Sequence, residues 1–239
     1  MLNSAKSQIT FVLALALTAL VAGAASAQAP PPKKTGIEGD DYVWNKAEGE
    51  KIEALQLEGD VENGEEAYEV CSACHLPNGA GRPDGTFPQL AGQHSTVLIK
   101  QIADIREGLR DNPIMYPFAI TLIDPQELAD VSAYIQTLPI PSDNGRGPGT
   151  ALERGEKLYK ENCVECHGAS GEGNAEKFYP VLAGQHYKYM LRQITDIRDG
   201  RRRNANPDMV KVVKKYSDED LAAVVDYMSR LEWPDRTSK

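Results

Sequence analysis

The sequence predicts an all-α protein built as two similar halves in tandem. Three observations carry that expectation. Sliding the chain against itself aligns Cys71-Ser72-Ala73-Cys74-His75 with Cys163-Val164-Glu165-Cys166-His167, and Leu90-Ala91-Gly92-Gln93-His94 with Leu182-Ala183-Gly184-Gln185-His186, both at an offset of 92 residues. Apolar residues recur at three- and four-residue spacing around these landmarks, as on helix faces, and no alternating strand pattern runs longer than a few residues. All four cysteines lie in the two repeated pentapeptides, so none is left to staple distant segments.

Taken in order, residues 1–27 read as a secretory signal: Lys6 gives a basic start, residues 9–21 an apolar stretch, and Ala25-Ser26-Ala27 a cleavage site. The apolar run is short for a membrane span and Pro30-Pro31-Pro32 follows it, so a mature chain starting at Gln28 is expected. Residues 28–61 form an acidic N-terminal extension outside the repeat. Its composition reads as a disordered tail, with wrapping onto a domain through Tyr42 and Trp44 as the alternative. The first domain is expected over 62–140. It opens with a helix over 64–74 that runs into the cysteines, followed by a second over 95–107 with Val97, Ile99, Ile102 and Ile105 on its apolar face. A last helix starts at the acidic turn Asp124-Pro125-Gln126-Glu127 and carries Leu128, Val131 and Ile135. Pro141, Gly145, Gly147 and Pro148 mark 141–150 as a linker. The second domain, 151–234, repeats the plan with helices over 152–166 and 187–199 and one beginning at Ser217 with Leu221, Val224 and Met228, leaving 235–239 as a tail. Domains of roughly 80 to 100 residues bury little apolar surface by themselves, so a bulky apolar cofactor at each centre would help to build the core.

The pentapeptides name that cofactor. In c-type attachment two thiols add to the haem vinyl groups and the adjacent histidine supplies an axial nitrogen to iron. Cysteines three residues apart on a helix share a face, and the next residue turns its imidazole toward the metal. Cys71, Cys74 and His75, and again Cys163, Cys166 and His167, meet that requirement. Structural zinc would need both thiol pairs close together, whereas these lie about 90 residues apart. A thioredoxin-like dithiol would sit near a βαβ pattern, which is absent.

An electron-transfer haem also needs a sixth ligand, and a thioether sulfur opposite histidine raises its potential. Met115 and Met209 occupy equivalent places, each two residues after a proline in a loop between the second and last helices. Met190 and Met228 have no counterparts in the other repeat, which reads them as core fillers. His94 and His186 also repeat, so bis-histidine ligation is the alternative. Otherwise they are hydrogen-bonding residues near the haem edge. Pro88 and Pro180, each 13 residues after its histidine, are candidates to offer a carbonyl to the imidazole Nδ1–H, against a plain loop-forming role.

With both halves laid out, the chain resembles the cytochrome c4 family of periplasmic dihaem cytochromes. The resemblance rests on the paired Cys-x-x-Cys-His groups and Leu-Ala-Gly-Gln-His. It also rests on Gln101, Ile105-Arg106, Gly108 and Arg110 with their counterparts Gln193, Ile197-Arg198, Gly200 and Arg202, and on Asn112-Pro113-Ile114-Met115 with Asn206-Pro207-Asp208-Met209. It covers about residues 60–232. It implies two tandem class I cytochrome c domains related by pseudo-twofold symmetry, with haem propionates near their interface and ligation by His75 with Met115 and by His167 with Met209. It also strengthens the roles of Pro88 and Pro180. Two departures stand out: the extension is longer than the family leads one to expect, and Val213 stands where the first repeat has Ala119.

Charge separates the halves. Residues 60–142 hold 12 acidic and 4 basic side chains, whereas residues 151–234 hold 14 of each. Such asymmetry can orient a basic redox partner near the first haem. The overall charge of −9 disfavours nucleic acid, and Arg201-Arg202-Arg203 is expected to serve a carboxylate, a propionate or the domain interface. The function expected is a periplasmic respiratory electron carrier that is not itself an enzyme. Its donor would be a bc1-type complex or a dehydrogenase and its acceptor a terminal oxidase or reductase, with any membrane association made through a partner. A dedicated subunit of an oxidoreductase complex is the alternative. A haem enzyme would call for an open axial position.

Overall fold

The computed structural model describes Trp44, residues 49–233 and Arg236, and among them no strand forms beyond an isolated antiparallel bridge between Asn174 and Tyr179. The expected signal over 1–27 and Tyr42 lie outside the described residues. The helices are α1 (Glu50–Leu55), α2 (Val61–His75), α3 (Ser95–Arg106), α4 (Tyr116–Ala119), α5 (Pro125–Thr137), α6 (Leu152–Asn162), α7 (Val164–His167), α8 (Tyr187–Arg198), α9 (Pro207–Val213) and α10 (Asp218–Met228).

In the first domain α2 crosses α5, with α3 packed on α5. In the second, α6 crosses α10 beside α8. A glycine makes each crossing possible. A Cβ on Gly64 would stand 2.1 Å from the carbonyl oxygen of Asp130, and one on Gly155 the same distance from that of Ala223. Tyrosines flank both crossings: the rings of Tyr68 and Tyr134 are 5.4 Å apart, those of Tyr159 and Tyr227 5.5 Å. Each first-helix tyrosine then donates its hydroxyl just beyond the cysteine group, Tyr68 to the Leu76 carbonyl and Tyr159 to that of Gly168. Two separate apolar cores result, one around Leu128, Val131 and Ile135 and the other around Leu221, Val224 and Val225.

Helix starts follow local chemistry. Asp60 accepts from the Glu62 and Asn63 amides, Asp124 accepts from that of Glu127, and Ser217 forms a reciprocal capping box with Asp220. Three details differ from the sequence expectations, and the linker gains contacts that the sequence did not show. The helix expected over 152–166 breaks at Cys163, whose φ of −120° ends α6 and starts α7. The methionine segments are helical rather than looped: Asn206 caps α9 ahead of Pro207, placing Met209 inside it, and Met115 is the N-cap of α4. Residues 50–55 of the extension are ordered as α1, packed on α3 and α5 with Ala54 fully buried, and Trp44 lies against the body. Over these residues the wrapping alternative holds and the tail does not. The linker is stitched to the second domain. The Gly145 amide donates to His186 Nδ1, Asn144 donates to the Gln185 and Ser229 carbonyls, and Gly147 donates to Ser229 Oγ.

Candidate functional site

Each pentapeptide ends a helix against a loop that closes over its histidine. His75 is 3% exposed; its Nδ1–H donates to the Pro88 carbonyl at 2.9 Å, and the Phe87 ring stands edge-on at 6.1 Å. His167 repeats this, with Nδ1–H donating to the Pro180 carbonyl at 3.2 Å and Tyr179 at 6.3 Å. Donation from Nδ1 leaves the lone pair on Nε2, the form of imidazole that binds a metal. Burial lowers both histidine pKa values, which keeps the rings neutral.

His75 Nε2 is buried without a hydrogen-bond partner. An orphaned buried acceptor costs about 1–3 kcal/mol unless something satisfies it, and a haem iron held at this nitrogen would do so. The cysteines fit the same cofactor. Cys71 and Cys74 lie in the last turns of α2, and Cys163 is the N-cap of α7 with Cys166 inside it. Burial pushes the Cys71 thiol up to about 11 and Cys163 up to about 12, opposite to the lowered values of redox dithiols and zinc thiolates. Among the described residues no cluster of three His, Cys, Asp or Glu side chains could hold a metal.

The methionine segments are held alike. Asn112 Oδ1 accepts from the Met115 amide. Arg106 donates to the Ala119 and Leu122 carbonyls behind α4, and its counterpart Arg198 donates to that of Tyr216. Met209 is half-buried against the second core, which includes Cys163, and Met115 is half-buried beside α4.

His94 and His186 are engaged elsewhere, at the interface between the domains. His94 Nε2–H donates to the Glu172 carbonyl and His186 Nε2–H to that of Ala80, both at 2.8 Å, and these four residues are exchanged by the repeat. The neighbouring glutamines mirror each other as well. Gln93 donates to the Val181 carbonyl and accepts from its amide, while Gln185 does the same to Gln89. Farther along, Arg110 and Arg202 each donate to both Gln101 and Gln193, and Arg203 pairs with Asp111 at 2.9 Å. The arginine run therefore serves the interface through Arg202 and Arg203, while Arg201 pairs with Asp196 and Asp199. These glutamines were visible in the sequence only as repeated positions. Nothing local marks a residue as facing another domain.

The comparisons agree with this geometry. A family model described as cytochrome c matches residues 61–139 and 152–232. Cytochrome c4 of Pseudomonas aeruginosa is 37% identical over 181 residues, spanning 72% of this chain and 89% of that protein. A protein of Stutzerimonas stutzeri named thiosulfate dehydrogenase electron acceptor is 33% identical over 172 residues, spanning 68% and 79%. The crystal structure of reduced recombinant cytochrome c4 from Pseudomonas stutzeri superposes with a TM-score of 0.64 at 32% identity, covering 73% of this chain and all of that one. Two cytochrome c domains with cysteines in this spacing fit two covalent c-type haems, and the chain belongs to the cytochrome c family, in its two-domain cytochrome c4 branch.

Proposed function

We propose that this chain is a dihaem electron carrier of the periplasm, with thioether attachment at Cys71, Cys74, Cys163 and Cys166, and axial ligation by His75 with Met115 and His167 with Met209. The observation that carries it is the buried, unpartnered Nε2 of His75 beside a cysteine pair, with Nδ1 already committed to a carbonyl. Bound haem supplies a one-electron couple at each centre. The protein's part is to hold the imidazoles neutral and fixed through Pro88 and Pro180, to exclude water around them, and to keep the two centres in one orientation through the interface glutamines and arginines. His94 and His186 act as interface residues in this reading, because their Nε2–H groups are spent on carbonyls of the opposite domain.

Redox partner proteins follow from the family. The relative named thiosulfate dehydrogenase electron acceptor supports a second reading, in which this chain takes electrons from one dedicated dehydrogenase rather than from a bc1-type complex. Co-purification with a catalytic subunit separates the two. Export rests on the N-terminal reading of the sequence, and among the described residues no helix is long and apolar enough to cross a membrane.

The ligand assignment is tested by Met115→Ala and Met209→Ala in the mature holoprotein. Each should lose about half of the red charge-transfer band of ferric methionine-ligated haem while the pyridine haemochrome still counts two haems per chain. An undiminished band in either variant removes that methionine as a ligand.

A further inference from the structure

At one mirrored pair the pseudo-twofold is broken, and Trp44 stands there. Arg192 and Gly85 are the repeat counterparts of Lys100 and Lys177. Arg192 Nη2, in the second domain, donates to the Gly85 carbonyl in the first at 2.8 Å. The mirrored bond would run from Lys100 to the Lys177 carbonyl. Lys100 is instead fully buried with Nζ 2.5 Å from Asp104 Oδ2, and the Lys177 carbonyl accepts from Trp44 Nε1 at 3.4 Å. The same indole lies under the diverted lysine, 4.3 Å from Nζ to the ring centroid. Lys51 of α1 reaches the next residue of the loop, its Nζ 5.6 Å from the Phe178 ring, and α1 is itself fastened to the first domain by the Glu50–Arg106 ion pair at 2.8 Å.

The loop that Trp44 touches leads directly to the second histidine. Phe178 has a φ of 57°, which a side-chain-bearing residue rarely adopts, and Tyr179 and Pro180 are the ring and carbonyl that flank His167. This contact is an addition to the shared fold. The family match begins at residue 61, and the Pseudomonas stutzeri structure is covered completely while 73% of this chain is used.

We propose that Trp44 is a positioning residue, which pins the 177–180 loop to the first domain and so sets the reduction potential of the haem at Cys163, Cys166 and His167. The proposal rests on the haem assignment above. A carbonyl bonded to an axial imidazole tunes its basicity, and hydrogen bonding and solvent exposure around the iron tune the potential. Holding the loop from the first domain fixes all three.

The test uses the mature holoprotein and its Trp44→Ala and Trp44→Phe variants, titrated spectroelectrochemically, with each haem followed by the NMR signals of its own axial histidine. In Trp44→Ala the electron distribution between the haems should change about three- to tenfold, tenfold being about 59 mV for a one-electron couple, with the shift confined to the second haem. Trp44→Phe keeps a ring under Lys100 but loses the donor, and should shift the same haem by less. Adding Lys100→Arg to Trp44→Ala supplies the reach that Arg192 has, and should restore the potential. An unmoved second haem, or equal shifts at both haems, overturns the role of Trp44 when haemochrome analysis still counts two haems. A count below two overturns the haem assignment instead.

Discussion

Lys100 carries its charge where no water reaches it. Asp104 lies against its ammonium at 2.5 Å, Trp44 covers it, and Asn204 of the other domain donates to the same carboxylate oxygen at 2.8 Å. Burial draws the lysine pKa down to about 8 although Asp104 opposes the shift. A folded value below the unfolded one means that the unfolded chain binds the proton more tightly, so the penalty is full below pH 8 and is relieved above it. Unfolding free energy from urea titrations should therefore rise between about pH 8 and 10, and Lys100→Met should flatten that rise. Parallel pH profiles for the two proteins would refute the account. His75 presents the complementary case of a polar atom that the protein leaves unsatisfied, which marks where the cofactor belongs.

At the scale of elements, the helix crossings leave no room for a side chain. Gly155 lets α6 approach α10 so closely that an alanine methyl would overlap the Ala223 carbonyl, and backbone cannot step aside as a side chain can. Gly155→Ala should cost about 1–3 kcal/mol, the usual range for overpacking, and lower the thermal midpoint of the second domain. A melting curve unchanged from the parent would show that the helices can slide apart freely. Asn206 caps α9 ahead of Pro207, while α4 starts at Met115, whose amide donates to the Asn112 side chain, with Pro117 in its first turn, so these ligand candidates ride on ordered turns. In the extension, residues 50–55 form a helix against α3 and α5 with Ala54 buried in the first core.

Across the whole molecule, two small cores are joined by polar side chains bonded to backbone. Gln93 satisfies both the amide and the carbonyl of Val181, which is 4% exposed, and Gln185 does so for Gln89. Gln93→Leu would strand both Val181 groups, at about 1–3 kcal/mol for each, and calorimetry should then resolve two unfolding transitions where the parent should give one. A single, unshifted transition would mean that the interface does not couple the domains. The arginines add charge to this joint: Arg203 of the near-neutral second half pairs with Asp111 of the acidic first half.

The all-α class, the two repeats and the haem chemistry were legible in the residues because each rests on local pattern. Helical periodicity shows within a turn or two, and thioether attachment needs two thiols and an imidazole within five positions. The Nδ1–carbonyl bonds at Pro88 and Pro180 were within reach because the spacing of 13 recurs in both halves. What His94 and His186 do was not legible. The repeat showed that they matter in pairs, but haem edge and domain interface both ask for a polar residue, and the carbonyls of Glu172 and Ala80 lie 78 and 106 residues away. Trp44 was visible as an aromatic in a polar stretch, without a partner. Its bond to Lys177 spans 133 residues and exists because Lys100 turned inward to Asp104, a choice made by packing and desolvation in the folded chain.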